Sequence, residues 1–365
     1  MVGLALRAML LPITHGQDFV VWDLASRGTL AGVNVFAHHP HYPGGPYTYV
    51  PLFLYVELPV QWLALHAGWS FTVLGKLPIV AGDLLAAALI AAYFRQRRYG
   101  DVVMALATAL YFLNPLVLYN GAFYGRFDGF CVGLFLLALR FYEPGRPRSW
   151  RFPLLYAVAV AAKTYPGFIL PWLLLRARGQ RIRVVAALVA VLGGLSLPYL
   201  LTSPVPFFKD VVLYDAGKLP GNLSWQSILL QPHLFARGAL LSHDAARWLS
   251  YALLALFVIA LFLFTRLDLY TYCLVAILLF LVLSKVVIEQ YFLWPMPFLI
   301  FAAVERRSWS SWSLLTLLSV TGMAINPYIH PFTERVRRAN ALLAACILAY
   351  ALTRKPAADK TTSHH

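Results

Sequence analysis

Apolar runs of helical length recur along this 365-residue chain, and short arginine clusters separate them. The clusters fall at Arg95, Arg97 and Arg98; Arg146, Arg148 and Arg151; Arg176, Arg178, Arg181 and Arg183; Arg306 and Arg307; and Arg354 with Lys355. Cytoplasmic loops of membrane proteins carry such an excess of Lys and Arg. Only 12% of the residues are charged and 60% are hydrophobic, whereas a soluble domain has about 25% charged residues. A chain this poor in charge cannot present a wetted surface, so it reads as an all-α polytopic membrane protein. The net charge of +15 sits mostly in the loop clusters. It follows the positive-inside pattern, predicts contact with anionic membrane lipids, and predicts no nucleic-acid partner.

Tracing the chain between clusters predicts helices near 73–94, 102–119, 129–142, 184–202, 246–265, 269–284, 292–304, 312–325 and 339–353. Two further segments carry breakers. The run 152–175 reads as two half-helices broken at Pro166, with Lys163 near the apex of a hairpin. The run 47–68 holds Pro51, Glu57, Pro59 and Gln61, and is expected to dip into the membrane and return, with a full span as the alternative. The total is about 10–12 transmembrane or half-membrane helices with two long outer-face loops, about 14–49 and 202–247, in a single domain spanning 1–353. A polar tail follows at 354–365. The apolar stretch Met1–Ile13 rises only about 20 Å as a helix against a core of about 30 Å, which predicts a tilted, packed helix or a start further upstream. No cleavable signal peptide is expected. Cys131, Cys273 and Cys346 lie inside apolar runs without metal-ligand spacing, and read as core residues.

Ionisable groups at membrane depth are costly and mark function. Lys285, Glu289, Gln290 and Tyr291 form one such cluster, in a short turn between two apolar helices. Glu289 is expected to pair with Lys285. Asp18 follows the first apolar stretch at the membrane boundary, and two roles are open to it there. A carboxylate in that position can act as a general base on a hydroxyl, or can cap the amphipathic helix expected from Phe19 to Leu30. Lys76, Arg126, Lys163 and Lys285 fall near outer helix ends or the hairpin apex, and together suit an anionic phosphate at the membrane surface. Asp83 and Asp128 are expected to pair with such cations. His38, His39 and His41 lack a defined ligand geometry, so no metal site is assigned to them.

Several ordered segments resemble one group of enzymes. Gln17-Asp18-Phe19 followed by Tyr47-Thr48-Tyr49-Val50-Pro51-Leu52, the Gly-Lys at Lys76 with Asp83, Asn114-Pro115 with Arg126 and Asp128, Lys163-Tyr165-Pro166, and Lys285 with Gln290-Tyr291 resemble membrane mannosyltransferases of the C-type glycosyltransferase superfamily. The resemblance is to the catalytic subunit of the first mannosyltransferase of glycosylphosphatidylinositol assembly and to bacterial polyprenyl-phosphate-mannose-dependent mannosyltransferases. It implies an inverting mannosyltransferase that moves mannose from polyprenyl-phosphate mannose to a hydroxyl of a glycolipid or glycan. The enzyme would be multi-pass in a prokaryotic plasma membrane, with its active site on the outer face. Asp18 would be the base, and Lys76, Arg126, Lys163 and Lys285 would hold the donor phosphate. Tyr49, Asp128, Tyr165, Gln290 and Tyr291 would line the donor and acceptor pocket. His330, between Ile329 and Pro331, is read from the residues alone as bordering the acceptor site. No cofactor or metal is expected, because the first Asp of the family's acidic pair is Gly16 here and one carboxylate alone is a weak divalent-ion site. Alternatives are another polyprenyl-phosphate sugar on the same fold, or a membrane transporter or lipid flippase.

Overall fold

The computed structural model describes residues 1–13, 16–37, 46–144, 149–214, 216, 218–230, 240–324 and 334–353. The chain divides into two compact units, residues 1–167 with 179–218, and residues 168–178 with 219–365. It is an all-α polytopic membrane fold. Among the described residues, Phe71–Gln96, Arg181–Thr202 and His243–Arg266 are long and apolar enough to cross a membrane. A bent pair, Asp101–Phe112 with Pro115–Phe123, makes a fourth span if counted as one. Shorter apolar helices, such as Leu52–Ala67, Arg151–Ala162 and Leu269–Leu283, accompany them.

The first unit contains α1 (Val2–Leu10), α2 (Gln17–Leu30), α3 (Leu52–Ala67), α4 (Phe71–Leu74), α5 (Leu77–Gln96), α6 (Asp101–Phe112), α7 (Pro115–Leu118), α8 (Asp128–Arg140) and α9 (Arg151–Ala162). After α10 (Leu170–Arg176), which belongs to the second unit, it continues with α11 (Arg181–Thr202) and α12 (Pro204–Val211). Its centre is the crossing of α5 on α8. A Cβ on Gly82 would run into the backbone of Phe130, and one on Gly133 would meet the carbonyl of Gly82 at 2.7 Å. Small residues therefore let the two helix backbones touch, which is how apolar helices pack where no hydrophobic force separates them from lipid. On α11, Ile182, Val189 and Leu201 stay exposed, as expected of a face turned to hydrocarbon.

Two expected segments differ. The run 47–68 does not dip and return. Residues 52–67 form one continuous helix with Pro59 inside it. A lone proline removes one intrahelical bond, and here it does not end the helix. Glu57 and Gln61 are buried by packing, so no re-entrant loop is needed to house them. The run 102–119, expected as one helix, breaks at Asn114 and bends by 47°. Proline disfavours helical geometry in the residue before it, and the Asn114 side chain instead accepts a bond from Leu116 N at 3.0 Å to cap α7. A π-helical turn, Tyr119–Phe123, follows. The expected break near Pro166 is present: α9 stops at Ala162, Lys163 is extended, and a 3-10 turn covers Tyr165–Ile169.

The second unit contains α10, α13 (His243–Leu263), α14 (Leu269–Leu283), α15 (Met296–Glu305), α16 (Trp309–Ala324) and α17 (Glu334–Leu352). α14 is buried along most of its length. Asp268 caps it, accepting from Thr271 N at 3.0 Å. Beyond α14, β2 (Val286–Val287) pairs in parallel with β1 (Gly221–Asn222), with Gly221 opposite Val286. Trp225 Nε1 donates to Val282 O, Gln226 Nε2 to Leu283 O and Ser224 Oγ to Ser284 O. Part of the expected outer loop 202–247 is thus anchored to the end of α14.

Candidate active site

The start of α2 fixes Asp18. Gly16 caps the helix, and its N–H donates to Tyr124 O at 2.8 Å. Any side chain at Gly16 would run into the Tyr124 ring. The residue that stands where the resembled family has the first Asp of its acidic pair is thus held to glycine by packing. With Gly16 at the cap, Asp18 turns its carboxylate elsewhere: Oδ2 accepts from Arg126 Nε at 3.1 Å. Arg126 also donates to Asn120 Oδ1 at 3.4 Å and stacks 4.1 Å over the Tyr124 ring. Asn120 is anchored in turn, donating to Leu116 O at 2.9 Å. The Arg126 side chain is 7% exposed and that of Asp18 37%. A buried cation thus orients a carboxylate that stays accessible.

Two residues further along the chain, Asp128 opens α8 and accepts from Lys163 Nζ at 2.7 Å, with side chains 1% and 7% exposed. Lys163 lies 5.2 Å from the Phe127 ring and 5.9 Å from that of Tyr49. Tyr49 stacks on Trp22 at 5.5 Å, and Trp22 meets Phe127 edge-on at 4.5 Å. Asp128, Lys163 and Tyr49 therefore gather around one aromatic group in the first unit, and the Asp18–Arg126 pair joins them through the chain at Arg126-Phe127-Asp128. Tyr165 is buried edge-on against Phe135. Lys76 is fully buried and donates to the carbonyls of Leu11 and Phe123 at 3.0 and 2.8 Å. That geometry ties helices together and turns the ammonium away from any surface.

Asp83 pairs with a residue that no sequence pattern singled out. Arg7 of α1 donates from Nε and Nη2 to Asp83 Oδ2 at 3.1 and 3.0 Å, and from Nη1 to Gly3 O and Phe112 O. Both side chains are buried. The signal was present: an arginine inside an apolar helix needs a partner. A Cβ on Gly129 would run into Asp83 Oδ1, and one on Gly121 would sit 2.8 Å from Oδ2. Asp83 thus packs against Gly129 and Gly121, the residues that follow Asp128 and Asn120 in the chain.

In the second unit, Lys285 is half-buried, with Nζ 5.8 Å over the Tyr251 ring. The expected partner, Glu289, is itself buried. Gln290 is 3% exposed, and its Oε1 has no hydrogen-bond partner among the described residues. Tyr291 stacks on Trp294 at 4.2 Å. His330, His38, His39 and His41 lie outside the described residues. Among the described residues no group of three or more His, Cys, Asp or Glu is placed to hold a metal ion.

Membrane-spanning helices and paired charges kept inside an apolar bundle define a membrane-embedded protein with a polar working site. The sequence model of Glycosyltransferase family 87 matches residues 47–288. The chain belongs to that family, and is an integral membrane glycosyltransferase consistent with the C-type superfamily. The match takes in Tyr49, Lys76, Arg126, Asp128, Lys163, Tyr165 and Lys285, whereas Asp18, Gln290, Tyr291 and His330 fall outside it. Neither a curated protein nor a solved structure matches the chain.

Proposed function

We propose that the chain is an inverting mannosyltransferase using polyprenyl-phosphate mannose. Its acceptor is a hydroxyl of a glycolipid or glycan on the non-cytoplasmic face. The observation that carries this reading is the accessible Asp18 carboxylate, held by Arg126 and backed by Asn120. Asp18 takes the proton of the acceptor hydroxyl as that oxygen attacks the anomeric carbon. The bond from the anomeric carbon to the phosphate oxygen breaks, and polyprenyl phosphate leaves with the electron pair. Attack opposite the leaving group inverts the configuration.

Lys163 stabilises the departing phosphate. The bond to Asp128 fixes the position of its ammonium group. Such preorganised charge is the main way enzymes stabilise a developing anion. Arg126 contributes charge from behind Asp18. Lys76 is left as a helix tie. No nucleotide is required, because the lipid phosphate is itself the leaving group. Membership of a glycosyltransferase family argues against the transporter and flippase alternatives.

The test is transfer by the purified chain with membrane lipid extract and radiolabelled polyprenyl-phosphate mannose, glucose, galactose and arabinofuranose. Label should pass to the lipid fraction from the mannose donor alone. Transfer from another member of the panel, or none from mannose, would sink the sugar assignment.

A further inference from the structure

The seam between α2 and α3 holds polar groups that the proposed chemistry does not use. On α2, Asp18, Trp22 and Ser26 recur at intervals of four residues, and on α3 so do Phe53, Glu57 and Gln61. That interval places each set on one helical face. The faces meet at two levels: the Trp22 ring lies 4.9 Å from Phe53, and Ser26 Oγ lies 3.4 Å from Gln61 Oε1. Glu57 therefore sits on the inner face between the two contacts. Trp22, Glu57 and Gln61 are 3%, 1% and 0% exposed. Trp22 Nε1, both carboxylate oxygens of Glu57 and Gln61 Nε2 have no hydrogen-bond partner among the described residues.

Buried polar groups are almost always satisfied, and each exception needs a reason. Here two donors and two acceptors share one seam without bonding to each other. A group that both donates and accepts would join them. Neighbouring sugar hydroxyls do this: each O–H gives its proton to a carboxylate oxygen while its oxygen accepts from an amide or indole N–H. The seam also begins at the base, since Trp22 is one helical turn, about 6 Å, from Asp18.

We propose that Glu57, Gln61 and the Trp22 indole N–H form a sugar-hydroxyl subsite next to Asp18, selecting a substrate by its vicinal diol. This rests on the transferase reading above. The same chemistry is found in the sugar of the donor and in the glycan of the acceptor, and the experiment separates them.

The full chain in nanodiscs is compared with Glu57→Gln, which keeps shape while exchanging an acceptor oxygen for an amide, and with Trp22→Phe, which removes the indole donor along with part of the ring. Methyl α-mannoside should raise the melting temperature of the wild type and leave both variants unmoved. Polyprenyl phosphate without sugar should stabilise all three, since it does not reach the seam. If it stabilises none, the donor reading fails while the mannoside result still judges the subsite. Losing a hydrogen bond and leaving its buried partner unsatisfied lowers affinity about tenfold. In turnover the KM of one substrate should rise by that factor, with kcat less affected. A raised donor KM assigns the subsite to the donor sugar, and a raised acceptor KM to the glycan. Equal mannoside stabilisation of wild type and both variants, with both KM values unchanged, would overturn the proposal and leave water or a proton as what satisfies Glu57. If one variant does not fold, the other decides between these outcomes.

Discussion

Asp18→Asn removes the proposed base while keeping nearly all of its surroundings. The amide oxygen can still accept from Arg126 Nε, which now lies 3.1 Å from Asp18 Oδ2. What is lost is the charge of an ion pair whose carboxylate is 37% exposed. Pairs open to solvent contribute about 0.2–1 kcal/mol, so melting should move by no more than a few degrees. General base catalysis, by contrast, contributes about 100-fold to 10,000-fold, or roughly 2.7–5.4 kcal/mol of barrier. The two effects are separable. Radiolabelled mannose transfer by the purified variant should fall at least about 100-fold while the protein elutes and melts like wild type. Activity within about tenfold of wild type would show that Asp18 is not the base.

Lys163→Ala removes the cation bonded to Asp128, whose side chain is 1% exposed. It should cost about 3–5 kcal/mol of stability, most of it regained in the Lys163→Ala/Asp128→Ala double variant, as read by melting in detergent. Polyprenyl phosphate affinity should drop in the double variant more than acceptor affinity, and an equal drop in both would make the pair structural. Arg7→Met should destabilise by a similar about 3–5 kcal/mol, with recovery when Asp83→Leu is added. Additive losses would mean that the two side chains do not act as a pair. Gln290→Ala and Tyr291→Ala should each reduce transfer while shifting melting by only a few degrees; a ligand-bound structure with this turn beyond side-chain reach of the ligand would refute that role. Transfer should persist in excess EDTA, and complete loss restored by magnesium or manganese would make Asp18 a metal ligand.

Much of the helical frame was legible because it rests on local signals. The apolar runs 246–265 and 269–284 appear as α13 and α14, each opened by a polar cap, Ser242 and Asp268. The break around Lys163 followed from Pro166. The continuity of α3 was not legible, because Pro59, Glu57 and Gln61 argue locally against a span and only the packing against α2 overrides them. Pairings were the least legible part. Arg7 with Asp83, Asp18 with Arg126 and Lys163 with Asp128 join residues 76, 108 and 35 positions apart, and no local periodicity encodes such distances. The sequence offered a cation and a carboxylate at each place without showing which belonged together. Gly16 read only as a missing carboxylate, and its cause, the Tyr124 ring, lies far along the chain.

The Arg7–Asp83 pair has a consequence for how the protein is made. Arg7 is synthesised 76 residues before its partner. A lone guanidinium at the centre of an inserting helix opposes insertion by about 2.5–3.5 kcal/mol. Translation therefore presents the translocon with a helix that is better left at the interface until α5 arrives. Pairing with Asp83 offsets that cost, so the pair favours docking of α1 only after α5 has been made.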